Sequence, residues 1–218
     1  MAIKLKKFDK AFLTGCDKKT EWMLPWFVEN YKKYNDLPII FADFGCSNQV
    51  KEYASKQFHA IINFTNTELR GWFMKPLAMV NCPAVDTVWV DTDCEILSDI
   101  SDIFKLIKNE KLLMAEDHPL IKRRKEIWHN SGVVGFRNKP RILKAWLEQV
   151  KNKQIVGDQE VLHSILNPIT RMTYIEDLPK EYNWLRIHID DGFDSPNKKI
   201  MHWTGPKGKI KIRSKMDG

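Results

Sequence analysis

Two aspartates with one threonine between them close an apolar run in "VDTVWVDTDCEIL", residues 85–97. Alternation along a strand would send Asp91 and Asp93 to one side and Thr92 to the other. Like charges that close raise each other's free energy unless a cation, a proton or water offsets them. Two carboxylates aimed one way make a hard, oxygen-rich site. It suits Mg²⁺ or Mn²⁺ better than Zn²⁺, with positions left open for substrate phosphates. An acidic turn is the competing explanation, because "SDISD" follows closely. The apolar strand before the pair and Ile96-Leu97 after it favour a functional role.

Two further clusters carry chemistry. In "IMHWTGPKGK", His202 ends an apolar run and precedes a turn with two lysines. A neutral imidazole there could complete an ion's ligands, while lysines and turn amides hold phosphate oxygens. Taken singly, His202 is as well explained as a histidine tucked under a basic tail, as are His59, His163 and His188. In "HNSGVVGFRN", Asn130 and Ser131 sit just ahead of a strand and Gly132 permits close backbone approach. Such groups read sugar hydroxyls. In "VGDQEVLHSIL", Asp158 and Gln159 open a helix, where a carboxylate also suits the macrodipole. Capping alone would explain Asp158, but it does not call for Gln159.

The elements that must position these residues follow from apolar periodicity. "KAFLTGCD" reads as a strand, and Thr20 as the cap of a helix through Tyr34 that tolerates Pro25. "LPIIFADFG" is a second strand, "SNQVKEYASKQ" a helix and "HAIINF" a third strand. "ELRGWFMKPLAMVNC" is a helix interrupted at Gly71 and Pro76, followed by the Asp-x-Asp strand. Uniformly apolar strands alternating with helices argue a mostly parallel sheet covered on both faces. Later, "DISDIFKLIKN" reads as helical, "KLLMAED" and "SGVVGF" as strands, and "PRILKAWLEQVKN" as a helix with Pro140 at its start. "DQEVLHSIL" is a helix, "MTYIEDLP" a strand and turn, and "KKIMHWTG" a last strand. Ligands in such sheets sit beyond the strands' carboxyl ends, so Asp17, Asp43, Asp91 and Asp93 are expected to line one crevice.

At 218 residues, 43% of them hydrophobic, the chain fills one core, and a single domain spanning 1–218 is expected. Two halves are expected within it, 1–98 ending in the Asp-x-Asp motif and 99–218 ending in a basic tail. No apolar run reaches bilayer length, and the N-terminus lacks a signal pattern. Four scattered cysteines read as reduced thiols, so a cytoplasmic location is expected. A net charge of +7 favours anionic partners. Much of it sits in "IKRRKEIWH" and "GPKGKIKIRSK", which permit peripheral contact with membrane or nucleic acid. A pyrophosphorylase or nucleotidyltransferase would want a Gly-rich phosphate loop with an Arg, which "LTGCDKK" does not supply. A basic nucleic-acid-binding module is the non-enzymatic alternative, although only the Trp128 segment mixes aromatics with basic residues.

The motifs in this order resemble the metal-dependent GT-A glycosyltransferases, most of all family 8, the glycogenin and lipopolysaccharide glycosyltransferase type. They are "WVDTDCEIL", "NSGVVGF", "GDQEVL" and "HWTG", with the opening "FLTGCD". The resemblance implies a Rossmann-like α/β GT-A fold and an enzyme moving a sugar from a nucleotide-diphospho-sugar, UDP-linked above all, to a hydroxyl. The acceptor would be a saccharide, a lipid-linked saccharide or modified DNA. By resemblance, Asp91, Asp93 and His202 ligate Mn²⁺ or Mg²⁺. Thr14, Asp17, Lys75, Thr92, Gly205 and Lys207 lie along the nucleotide and its phosphates. Asn130, Ser131, Asp158 and Gln159 face donor sugar and acceptor, and anomeric configuration is retained. On that resemblance, 1–98 would be the nucleotide-binding half and 99–218 the half for donor sugar and acceptor. The chain departs from the family pattern: Gly208 stands where family members carry a phosphate-binding lysine, with Lys207 and Lys209 on either side, Thr14 to Asp17 is looser than the usual nucleotide-binding opening, and the chain is short for the family. The stretch 117–129, "DHPLIKRRKEIWH", is expected to be an acceptor-side flap.

Overall fold

The computed structural model describes residues 7–64, 67–154 and 156–217. Its main sheet holds seven strands. They are β1 (Phe8–Cys16), β2 (Ile39–Asp43), β3 (Ala60–Asn63), β4 (Ala84–Val90), β6 (Leu112–Glu116), β7 (His129–Arg137) and β8 (Ile175–Asp177). Their order is β3-β2-β1-β4-β7-β6-β8. Every neighbouring pair is parallel except those involving β7, which runs antiparallel to both β4 and β6. That reversal matters for function. A strand running backwards begins where its neighbours end, so His129, Asn130 and Ser131 open β7 at the rim where β4 and β6 finish.

Helices cover both faces. Phe12 and Phe41 pack with Phe27 and Tyr31 of α1 (Leu24–Tyr34), while the adjacent Leu13 and Ile40 pack on the opposite side with Trp89 and Met79. Successive side chains of a strand alternate faces, so two apolar layers require the continuous apolar runs seen in β2 and β4. On the second face lie α3 (Lys75–Asn81) and α5 (Arg141–Asn152), with Trp146 fully buried. Near α1, α2 (Asn48–Gln57) is capped by Ser47, whose hydroxyl accepts from the Val50 amide.

A smaller sheet, β5-β10-β9, lies past the end of β4. In it β10 (Ile200–His202) runs antiparallel to β5 (Cys94–Ile96) and parallel to β9 (Trp184–Leu185). His202 pairs with Cys94, which places its ring next to Asp93 although 109 residues separate the histidine from the aspartate by number. The remaining helices are α4 (His118–Arg124), α6 (Asp158–Ser164), α7 (Pro168–Tyr174), α8 (Arg186–Asp190) and α9 (Gly205–Met216).

Several expectations are corrected. The Asp-x-Asp strand stops at Val90, and Asp91 to Asp93 form a turn closed by the Cys94 amide donating to the Asp91 carbonyl, 3.0 Å. The two acids therefore converge through a turn rather than a pleat. Thr20 makes no side-chain cap. Instead Asp17 Oδ1 accepts from the Lys19 and Thr20 amides and the Thr20 hydroxyl. The interrupted third helix is a 3-10 turn, Gly71–Met74, followed by α3; Gly71 has φ +56°, which a helix excludes. Met172 to Tyr174 belong to α7, and β8 begins only at Ile175. The basic tail is helical, because Ile212 is buried against the core and anchors it. Gly208 permits that packing, since a Cβ there would fall 1.9 Å from the Trp203 carbonyl oxygen.

Candidate active site

The rim where β1 and β4 end and β7 begins encloses a cavity of about 1540 Å³. Of the four aspartates expected there, Asp17, Asp91 and Asp93 line it. Asp43 does not. It is fully buried, and its Oδ1 accepts from the Gly45 and Cys46 amides to shape the turn into α2. Thr14 also lies outside, buried within β1 with no partner for its hydroxyl among the described residues.

Asp91, Asp93 and His202 converge. His202 Nε2 is 3.3 Å from Asp93 Oδ1 and 4.0 Å from Asp91 Oδ2. The imidazole's orientation is set from behind by a chain of amides. The Gly132 N–H donates to Asn130 Oδ1, so the Asn183 group facing that oxygen must be its NH₂. Asn183 Oδ1 then accepts from His202 Nδ1 at 2.9 Å, which places a proton on Nδ1. The remaining ring nitrogen, Nε2, faces two carboxylate oxygens. Either a proton or a metal ion must sit between acceptors so arranged. Hard oxygens with one imidazole nitrogen, oriented by a second hydrogen bond, fit a divalent cation of the Mn²⁺ or Mg²⁺ type. Among the described residues the donor atoms of Asp93, Cys94 and His202 lie within 4.8 Å of one another. Burial and the two aspartates push the Cys94 thiol's pKa well above the ordinary value, and a hard cation favours carboxylate oxygens over sulfur.

Lys209 of α9 closes this end, with Nζ 3.2 Å from Asp93 Oδ2. Burial opposes ionisation of Asp93, yet His202 and Lys209 hold it well below the usual carboxylate range. Lys207 is exposed and away from the cavity lining, whereas Gly205 and Thr92 both line it. Much of the tail's charge is spent internally: Lys215 pairs with Glu95 at 2.9 Å, and Arg213 lies over Trp22.

Lys75 links the Asp91 end of the cavity to the Asp158 end. Its buried ammonium lies 3.0 Å from Asp91 Oδ1, 3.1 Å from Asp158 Oδ2 and 3.0 Å from the Ser131 carbonyl oxygen. Burial acts to lower its pKa, but the Asp158 and Asp91 carboxylates outweigh burial and raise it. Asp158 is not a cap. Its Oδ2 accepts from the Ser131 hydroxyl at 2.9 Å, and no helix amide bonds its side chain.

Gln159 completes the network. Its Oε1 accepts from the Ser131 amide and Asn130 Nδ2, and its Nε2 donates to Asp117 Oδ2 at 3.1 Å. The four residues Asn130, Ser131, Asp158 and Gln159 are thus one cluster, drawn from β7 and α6. Sequence patterns missed Asp117, Asn183 and the exposed Trp72 on the cavity wall. Asp117 carried a usable signal, an acid just past a strand end. Asn183 carried none.

No protein-family model matches this sequence, and no curated protein matches it. Solved structures match in three dimensions. The glycosyltransferase GlyE of Streptococcus pneumoniae TIGR4 is similar at a TM-score of 0.69 and 16% identity, over 91% of this chain and 55% of that one. The galactosyltransferase LgtC, in complex with donor and acceptor sugar analogues, aligns at 0.63 and 13% identity, covering 90% of this chain and 87% of that one. Mouse xyloside xylosyltransferase 1 aligns at 0.56 and 11% identity, covering 90% and 97%. This chain therefore spans little more than half the length of GlyE. At such identities the likeness is one of fold: the chain has the α/β fold of the GT-A glycosyltransferases, with a mostly parallel seven-stranded sheet.

Proposed function

We propose that the chain moves a glycosyl group from a nucleotide-diphospho-sugar, a UDP-sugar above all, to a hydroxyl of a saccharide or lipid-linked saccharide. Mn²⁺ or Mg²⁺ assists, and anomeric configuration is retained. One observation carries this reading. A single cavity holds a convergent Asp91–Asp93–His202 donor set at one end and the Asp158–Gln159–Asn130 cluster at the other, bridged by Lys75.

Asp91, Asp93 and His202 would hold the ion, which when bound offsets negative charge growing on a diphosphate leaving group. Lys209 is the basic side chain that reaches those phosphates, taking the part expected of Lys207. Trp72, 59% exposed on the cavity wall, offers an aromatic face to the nucleobase, with Asp17 nearby. Near the anomeric carbon, Asp158 Oδ2 is held by Lys75 and Ser131, while Oδ1 has no partner among the described residues. That oxygen can stabilise positive charge on the sugar ring. The Asp158 carboxylate, held through Oδ2, and Gln159 Oε1 are both anchored, which favours stabilisation of an oxocarbenium-like centre and front-face attack by the acceptor hydroxyl over displacement by the protein.

Thermal melting with Mn²⁺ and each of UDP, GDP, CDP and TDP tests the reading. One nucleoside diphosphate should raise the melting point only when metal is present; ligand at a hundredfold excess over Kd adds about 2.7 kcal/mol. Hydrolysis of the matching nucleotide-sugars then identifies the donor. Absence of any metal-dependent shift, with Asp91→Ala behaving like the parent chain, would exclude it.

A further inference from the structure

The cavity is larger than one ligand requires. Pockets that bury a single drug-sized molecule run from about 300 to 1,000 Å³. The space of about 1540 Å³ here leaves room for an acceptor beside a nucleotide-sugar. The sheet order locates the two ends. The cations Lys18 and Lys19 follow β1, whereas α4 follows β6, and β4 and β7 lie between. Three strand spacings separate those ends by about 14 Å.

At the β6 end, Arg123 and Arg124 of α4 line the cavity, flanked by Lys122 and Lys125. All four are exposed, and among the described residues none has an ion-pair or hydrogen-bond partner for its side chain. The nearest acid along the chain, Glu126, is engaged elsewhere, by Trp128 Nε1 at 3.2 Å and by His163 at 3.5 Å. Of the other cations lining the cavity, Lys75 is paired with Asp91 and Asp158, Lys209 with Asp93, and Arg186 with the Thr204 carbonyl and Asp190, whereas Lys18, Lys19 and Arg70 have no side-chain partner among the described residues.

The helix that carries the arginines is fixed to the sugar-binding cluster by one side chain. Asp117 Oδ1 accepts from the Leu120 amide at 3.0 Å and caps α4. Asp117 Oδ2 accepts from both Asn130 and Gln159 at 3.1 Å. Leu120 is buried beneath, and Lys125, in the left-handed region with φ 62°, ends the helix sharply. So a pair of unneutralised guanidinium groups stands beside the site where the acceptor hydroxyl must arrive. Guanidinium forks match carboxylate and phosphate oxygens in pairs, which neutral sugars cannot do.

We propose that the acceptor is an anionic saccharide, bearing a phosphate or a carboxylate, and that Arg123 and Arg124 bind its acidic group. The proposal rests on the glycosyl-transfer reading and adds the substrate class. Ligand-observed NMR titration tests it, using neutral hexoses, their sugar phosphates and the matching uronic acids. Each is titrated with and without Mn²⁺ and the stabilising nucleoside diphosphate. At least one anionic series should bind about tenfold or more tightly than its neutral counterpart, as charge-assisted hydrogen bonds require. The phosphate and uronate arms show which group is preferred. The double variant R123E/R124E, on an exposed helix face, should abolish the preference while melting like the parent chain. Equal binding of charged and neutral sugars, or an unchanged preference in the variant, would overturn the proposal. Failure of the nucleoside diphosphate arm alone would instead count against glycosyl transfer.

Discussion

Gly132 and His202 stand so close that a Cβ on Gly132 would lie 2.1 Å from Cε1 of the imidazole and 2.4 Å from Nδ1. The glycine is therefore what lets the ring of β10 reach the Asp91–Asp93 turn across two sheets. Its own N–H starts the amide chain that fixes the ring's tautomer. Gly132→Ala should displace the imidazole and weaken metal binding by about 10- to 100-fold, the usual effect of disturbing a ligand's support. A Mn²⁺ titration followed by electron paramagnetic resonance measures it; an unchanged affinity would show that His202 is not a ligand.

Asp93→Asn keeps the shape of the turn while removing the charge shared by His202 and Lys209. Metal-assisted leaving-group stabilisation is worth several kcal/mol, so turnover of the matching nucleotide-sugar should fall by about two orders of magnitude or more. Mn²⁺ should no longer enhance the nucleoside diphosphate melting shift. A variant that still responds to Mn²⁺ would remove Asp93 from the ion's ligands.

Lys75→Met should destabilise the fold as well as inactivate it. Its side chain is 5% exposed, and its loss leaves Asp91 and Asp158 facing each other without a cation. Breaking a buried charge pair this way costs about 3–5 kcal/mol. For a chain of this size that lowers Tm by roughly 10 °C. Calorimetry in the absence of ligands reads the effect.

Stability should fall on the acid side of neutrality. Burial lowers the pKa of His129, His163 and His188 below the ordinary 6.5, with Arg171 adding to the effect at His129 and His163. Below that value the unfolded chain binds more protons than the folded one, so stability rises with pH. It is therefore lost as pH drops from about 6.5 towards the folded values. Denaturant midpoints measured across that window give the slope. His188→Phe should flatten it, because both ring nitrogens of His188 are buried against Trp184 without partners among the described residues.

The sequence alone determined the alternation of strands and helices through Val90, because apolar runs and their breakers act over a few residues. It also singled out Asp91, Asp93, His202 and the Asn130–Ser131 and Asp158–Gln159 pairs, since each ends or opens a regular element. Short segments were less legible. Met172 to Tyr174 look like strand by composition, yet Asn167 caps a helix there by accepting from the Thr170 amide. α4 and α9 are too basic for periodicity to show, and each buries one apolar side chain, Leu120 and Ile212 respectively.

Only the tertiary structure decided how the pieces meet. The antiparallel course of β7 puts Asn130 on the rim, and the pairing of β10 with β5 brings His202 to Asp93. That Asp43 lies off the cavity, that Lys209 rather than Lys207 lines it, and where Asp117 and Asn183 sit all follow from long-range contacts such as Asn183 with Asn130, 53 residues apart. Local pattern records which face of an element is apolar. It holds no information about which distant element will cover that face, and the site is made at those junctions.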